Sequence, residues 1–433
     1  MRVQTPKTHA AAGQRGFSLL EMVITLAILV VVMLGALALF DMASSLSRVQ
    51  LDVADMQQSL RSGQYDMVRL LRMSGRGSVP AQVLQPPLPA AAPVWTFPKG
   101  IAVEVRNKAG ANEYMDAPAN TKKILPETDV LTVRGVFSSP VCTVVKDTFT
   151  VDNLVGSPTY GRGQLRVINQ ALPNVPVPQN LKRLAEAIAG GVKEALMLVS
   201  GEDDSIFQVV ELDPGASNVD NPANPTNILV AFKFDGGTNT AGYLAFSGGT
   251  WNSKLKEAAY MGIIEEYKFY VLDEREIIGD VNSPPKPRLV RAQVFPGTQS
   301  PYKGDVDNWS VGIADNVADL QVALGIQNGG VSPFDLDDNG NATDEWLFNA
   351  PGDVNGAGAP VDPNKWRFGK LYYVRLSTTV FSERRDRTYA LPANVTSEDH
   401  TYVVPSMGTA GALTPDRTYR RRTIKTVVDL RNL

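Results

Sequence analysis

The run FSLLEMVITLAILVVVMLGALALF, Phe17 to Phe40, constrains this chain more than any other part of it. Glu21 is its only charged residue, it holds no proline, and Gly35 is its only glycine. As a helix it is about 36 Å long at roughly 1.5 Å per residue, enough to cross a hydrocarbon core of about 30 Å. A helix buried in a soluble core fits poorly, because apolar stretches of about 18 or more residues with so few charges generally span. The flanks set a direction. Residues 1–16 carry Arg2, Lys7 and Arg15 and no acid, whereas Asp41, Asp52 and Asp55 follow the run. The positive-inside rule then keeps the N-terminus cytoplasmic and exports the rest. An ordinary secretory signal is cut after its apolar stretch; here the distinctive small residue, Gly16, comes before it.

The helix continues past Phe40. Leu46, Val49, Val53, Met56, Leu60, Met67, Leu70 and Leu71 recur at spacings of three, four and seven, giving one apolar face. Gly75 and Gly77 end it. From Phe17 to Ser74 the helix would be about 87 Å long. Its second half must cover that face with something, and a downstream sheet is the obvious candidate. The Pro/Ala stretch Pro86–Pro93 marks a linker.

The exported remainder reads as β-rich. IAVEVRN, DVLTVRGV, CTVVKDTFTV, QLRVI, EALMLVS, IFQVVEL, NILVAFKF, EEYKFYVLDE, PRLVRAQVF, LYYVRLSTTVF and RRTIKTVVDLR all have strand character. Many alternate apolar with polar, as half-buried antiparallel strands do. Asn/Gly/Pro/Asp loops separate them, notably 213–227, 235–253 and 328–365. Val311–Ile326 reads as a short amphipathic helix leading into a strand. The formal net charge is −3, and −6 once the three leader cations are removed. An acidic chain argues against non-specific nucleic-acid binding. Cys142 is the sole cysteine, which excludes an intramolecular disulfide. No sequence pattern for a nucleophile, a zinc-binding helix or a phosphate loop is present, so an enzyme is not expected.

GFSLLEMVITLAI resembles the class III signal of type IV prepilins: a glycine, a phenylalanine, and a glutamate four residues later, ahead of an apolar run. The resemblance implies that a prepilin peptidase cuts between Gly16 and Phe17 and methylates the amine of Phe17. It also implies the partner of Glu21, namely the N-terminal amine of a neighbouring subunit, a charge-assisted pair that sets axial register. A glutamate snorkelling to headgroups is the plainer alternative.

The block order is similar to the PilW-type minor pilins. It runs LRSGQYDMVRLLRMSGRG, TDVLTVRG, EEYKFYVLDE with PRLVRAQVF, VADLQVALGI before an Asp/Asn-rich loop, then LYYVRLSTTVFSERR and YRRRTIKTVVDLRNL. That resemblance implies a minor pilin acting in pilus assembly at or near the filament tip. Its partners would be other minor pilins, the major pilin and a large tip adhesin, and it would wait in the inner membrane before reaching the cell surface. A J-type minor pseudopilin of a type II secretion system, or a tip-exposed adhesin, are the alternatives. The expected fold is α+β. A long N-terminal helix, membrane-spanning in its first half, packs on a large antiparallel, β-rich, pilin-like head. The expected segments are a cleaved leader (1–16), a transmembrane half-helix (17–40), an amphipathic half-helix (41–74), a linker (75–94) and the head (95–433).

One motif suggests an ion, although no cofactor is required. DLDDNGNATDEW resembles the first half of an EF-hand-type calcium loop. Asp335, Asp337 and Asn339 offer side-chain oxygens, Gly340 permits the turn, and Asn341 offers a carbonyl. Trp346 stands where the bidentate glutamate belongs, and Asp344 and Glu345 would substitute for it in a shortened loop. A solvated polar turn has the same composition. RTYRRRTIK (417–425) is basic, but its arginines alternate along a strand and read as a solvated sheet surface.

Overall fold

The structure is a computed structural model. It describes residues 18–74, 102–110, 113–115, 122–137, 141–154, 156–168, 179–202, 206–234, 251–274, 286–296, 309–327, 346–347, 370–385, 394–398, 400–403 and 419–430. In chain order the elements are α1 (Leu19–Met73), β1 (Val103–Arg106), β2 (Val130–Gly135), β3 (Cys142–Thr143), β4 (Thr150–Asp152), β5 (Arg162–Ile168), α2 (Gln179–Ala189), β6 (Ala195–Ser200), β7 (Phe207–Leu212), β8 (Asn218–Val219), β9 (Asn227–Lys233), β10 (Ala258–Ile263), β11 (Glu265–Leu272), β12 (Arg288–Val294), β13 (Ser310–Asp315), β14 (Val317–Gln327), β15 (Trp346–Leu347), β16 (Lys370–Arg385), β17 (Asn394–Ser397), β18 (His400–Val403) and β19 (Tyr419–Asp429). The class is α+β, with antiparallel pairing throughout the described sheets. The chain divides into two compact units, one ending at Asp55 and the other starting at Met56.

In the first unit α1 is helical from Leu19, and every described side chain up to Phe40 is exposed. Length and composition suit a membrane span. In the second unit the remainder of α1 turns Met56, Leu60, Gly63, Gln64, Met67, Leu70 and Leu71 inward, the three/four spacing of an amphipathic helix. It lies on a five-stranded sheet of order β1-β2-β11-β12-β13. Gly63 permits the close approach, since a Cβ there would sit 2.9 Å from Leu289 Cδ2 and 3.2 Å from Ala314 Cβ. Asp66 accepts from Arg291 Nη1 at 2.7 Å. Gln64 Nε2 donates to the Ile424 carbonyl at 3.0 Å, and Thr426 Oγ1 donates to Gln64 Oε1 at 2.6 Å. Gly63→Val should therefore destabilise the head by about 1–3 kcal/mol through overpacking. Thermal unfolding checks this, and an unchanged melting temperature would contradict the close approach.

β2 and β11 are hydrogen-bonded neighbours, with Gly135 opposite Glu265. Everything from β3 to β10 lies between them in sequence and forms its own sheet, of order β3-β10-β6-β7-β9-β5-β4, with β8 added on β9. Residues 136–264 are thus an insertion in one hairpin of the five-stranded sheet. The insertion has its own core, built on Leu165, Leu196, Val210, Val230 and Phe232, and closed by Leu181, Leu184 and Ala185 of α2.

The third sheet has the order β15-β14-β16-β19. It corrects the expectation for Val311–Ile326, which is no helix but two strands, β13 and β14. Asn316 joins them at φ +56°, and a bulge between Val317 and Asp319 shifts the register. That slip in a period-two pattern mimics helical spacing. Asp129 ties this sheet to the first. Its Oδ1 accepts from Lys108 N–H at 3.0 Å, its Oδ2 from Val322 N–H at 2.7 Å, and its own N–H donates to the Leu320 carbonyl at 2.9 Å.

Opposed residues share a face, and the two faces of this sheet differ sharply. One carries Val322 opposite Leu376 and Leu324 opposite Val374, which is opposite Val428. The other carries Asp319 opposite Thr379 opposite Thr423, and Gln321 opposite Ser377 opposite Lys425. Over this polar face lies the hairpin β17–β18, whose Ser397 pairs with His400 across a two-residue turn.

Candidate functional site

Gly16 and Phe17 lie outside the described residues, and Glu21 lies within them, in the first turn of α1. Its surroundings supply a partner that the sequence reading overlooked. Ser18 N–H donates to Glu21 Oε2 at 3.4 Å, and Glu21 N–H donates to Ser18 Oγ at 3.1 Å. This reciprocal pair is a capping box. The spacing S-x-x-E was visible in FSLLE. The box satisfies two of the four N–H groups that a helix start leaves open. It also places a negative charge at the positive end of the helix dipole. Near a membrane surface both effects count, because hydrocarbon offers no replacement hydrogen bonds. Met22 N–H donates to the Ser18 carbonyl at 3.1 Å and starts the helical ladder. Thr25 Oγ1 donates back to the Glu21 carbonyl. Among the described residues Glu21 Oε1 has no partner, so the carboxylate is held in place by one oxygen and can meet a cation with the other.

The calcium candidates Asp335, Asp337, Asn339, Asn341, Asp344 and Glu345 lie outside the described residues. Trp346, at the position of the missing glutamate, is described. It is buried in β15 opposite Gly325, with the Arg375 guanidinium 4.4 Å from its ring centroid. That position is a packing anchor. Of the basic run, Arg422 is exposed, and Arg420 and Arg421 are half-buried.

Sequence reasoning also missed a charged joint at the root of the insertion. Arg183, on α2, meets Glu265 Oε1 at the start of β11 at 2.7 Å and Glu194 Oε2 at 3.8 Å. Both acids are buried. Glu265 also accepts from Phe137 N–H at 3.1 Å. A Cβ on Gly262 would lie 2.7 Å from Val136 Cγ2, so the entering and leaving strands pass in contact. The sequence reading placed no helix at QNLKRLAEAIA, although the spacing of Leu181, Leu184, Ala185 and Ile188 would have signalled one; its charge partner, far along the chain, left no such signal.

Comparison with known proteins gives three findings. No curated protein matches the chain. Among solved structures it is similar to a type IV-like pilin from Thermus thermophilus, at 11% identity and a TM-score of 0.18, over 56% of this chain and 86% of that one. At that score the likeness carries no argument. The family model for the prokaryotic N-terminal methylation motif matches residues 12–37, a stretch that contains Gly16, Phe17, Ser18 and Glu21. The motif implies processing by a prepilin peptidase and assembly with other pilins. The chain thus carries a prokaryotic N-terminal methylation motif at the head of an apolar helix whose first turn is capped.

Proposed function

We propose that the chain is a minor pilin of a type IV pilus, of the PilW type, that helps initiate assembly and stands at or near the filament tip. The insertion of residues 136–264 into the β2–β11 hairpin carries this reading. Subunits of a filament shaft have neighbours above and below at every repeat, so a bulky module fixed by buried charges would have to fit at each one. At the tip one side is free. Before assembly the protein is held in the inner membrane by residues 17–40, with its N-terminus in the cytoplasm and its head in the periplasm, as the flanking charges favour. Prepilin peptidase, other minor pilins, the major pilin and a large tip adhesin are its partners, and its role is structural rather than enzymatic. For the acidic loop we propose calcium on the spacing of its oxygens alone, with calorimetric titration of calcium into the protein as the test.

Sheared filaments provide the test of the main reading. Mass spectrometry should find this protein far below the abundance of the major subunit, beginning with N-methylated Phe17. Gold-labelled antibody to an epitope tag should fall at filament ends. Label repeated along the shaft, or an intact Met1 terminus in the filament fraction, would reject the proposal.

A further inference from the structure

The polar face of the third sheet is closed by the β17–β18 hairpin through two sets of contacts. The first is a clamp. Glu398 has φ +53° at the turn, a conformation that is costly for a residue with a side chain. Its carboxylate holds it there by accepting from Arg375 Nε at 3.0 Å and from Ser377 Oγ, and by pairing with Lys425 Nζ at 3.1 Å. The second set involves Asp319, Gln321 and His400. Asp319 and Gln321 are buried at 1% and 0% exposure. Gln321 Nε2 donates to Asp319 Oδ1 at 2.8 Å and to the Glu127 carbonyl at 3.0 Å. His400 Nδ1 lies 3.5 Å from Asp319 Oδ1 and 3.2 Å from Gln321 Nε2. Among the described residues Asp319 Oδ2, Gln321 Oε1 and Ser397 Oγ are buried without hydrogen-bond partners.

This second set carries an imbalance. A buried carboxylate with one oxygen unpartnered is costly when charged. The charged groups on the surrounding elements are otherwise engaged. Asp129, before β2, accepts from two backbone N–H groups. Arg375 on β16 and Lys425 on β19 pair with Glu398 of the hairpin itself. Glu127 faces the site through its carbonyl. Among the described residues His400 is the ionisable cation in contact with Asp319. A proton on Asp319 neutralises the carboxylate, and the hairpin seals it from water with Ser397 and His400.

We propose that the β17–β18 hairpin is a proton-dependent latch, seated on the polar sheet face while the buried Asp319 carboxyl carries a proton and loosened when that proton leaves. Burial, the largest cause, holds the Asp319 carboxyl above its ordinary range, against the pull of His400 and Gln321. A carboxyl whose pKa is raised in the docked state binds protons more tightly when docked. Its contribution is complete below the free value of about 3.9 and is lost as pH rises through the docked value. Within that window one linked proton changes the docking equilibrium by up to about tenfold per pH unit. The Glu398 clamp stays in place and limits the motion to a loosening of the hairpin rather than its escape.

The test is hydrogen exchange of the full-length protein in detergent micelles, read by mass spectrometry on peptides spanning 394–403 and corrected for intrinsic rates. From about pH 4 upward the wild-type hairpin should lose protection, by up to about tenfold per pH unit, until the docked carboxyl has titrated. Asp319→Asn should remove that dependence and keep protection near the acid level, because the amide is neutral and fits the same space. His400→Gln, which removes a group that favours the charged carboxylate, should keep the dependence and move it to higher pH. Wild-type protection independent of pH, or dependence that persists in Asp319→Asn, would overturn the latch. So would protection at pH 8 that follows added calcium or chelator, which would assign the unpartnered oxygens to a cation instead.

Discussion

Glu21→Ala leaves the protein in the membrane fraction but lowers its incorporation into filaments by at least about tenfold, a factor that needs a loss of only about 1.4 kcal/mol per added subunit. Insertion does not suffer, because a carboxylate in the bilayer is a cost, up to about 2.5–3.5 kcal/mol at the centre. Two features disappear together: the cap on Ser18 and the charge proposed to meet a neighbouring chain. Glu21→Gln separates them, since glutamine also completes a capping box. If the charge sets the register, the glutamine variant fails to incorporate as badly as the alanine variant. If capping alone matters, glutamine restores assembly. Co-purification with sheared filaments is the measurement, and wild-type incorporation of the alanine variant would remove Glu21 from the assembly site altogether.

Arg183→Ala should cost the head about 3–5 kcal/mol, the range for removing one partner of a buried ion pair. The loss is large because Glu265 and Glu194 each remain at 1% side-chain exposure without this cation, whereas Arg183 itself is 17% exposed. The lower end of the range is expected, since water reaches the arginine side. Arg183→Lys should recover part of the loss, keeping the charge but not the fork geometry. Thermal or denaturant unfolding in detergent reads the effect. A change under about 0.5 kcal/mol, typical of an exposed substitution, would show that the insertion is held by its apolar contacts alone.

The parts of this fold that the sequence reveals are those set by local pattern. The continuous apolar run, the amphipathic half of α1 and most strands can be read from periods of 3.6 and two, because burial on one face dictates them. CTVVKDTFTV shows the limit. It yields two short strands, Cys142–Thr143 and Thr150–Asp152, since Asp147 turns the chain at φ +62° between them. The phase slip at Asn316 likewise disguised two strands as a helix. The short β17–β18 hairpin, largely polar, gave no pattern to follow. Pairing across distance left even less trace. Nothing near DVLTVRGV announces that its neighbour is EEYKFYVLDE, and nothing near QNLKRLAEAIA announces Glu265. At the candidate site the methylation motif and Glu21 were legible as type and spacing. The cap on Ser18 was also legible, from the S-x-x-E spacing.

The placement of the insertion also orders events in time. While residues 136–264 are unfolded, bringing β2 to β11 means closing a long flexible loop, and that entropy grows with the logarithm of loop length, about 0.6 kcal/mol per doubling. Once β3 has paired with β10, Cys142 beside Met261, the two ends of the insertion are held side by side. The β2–β11 ladder then closes as a local hairpin would. Along the chain β2 comes first and must wait for β11. The later half of the insertion therefore gates completion of the very sheet on which the helix rests, so that a subunit with a fully formed spine is also one whose module has already folded.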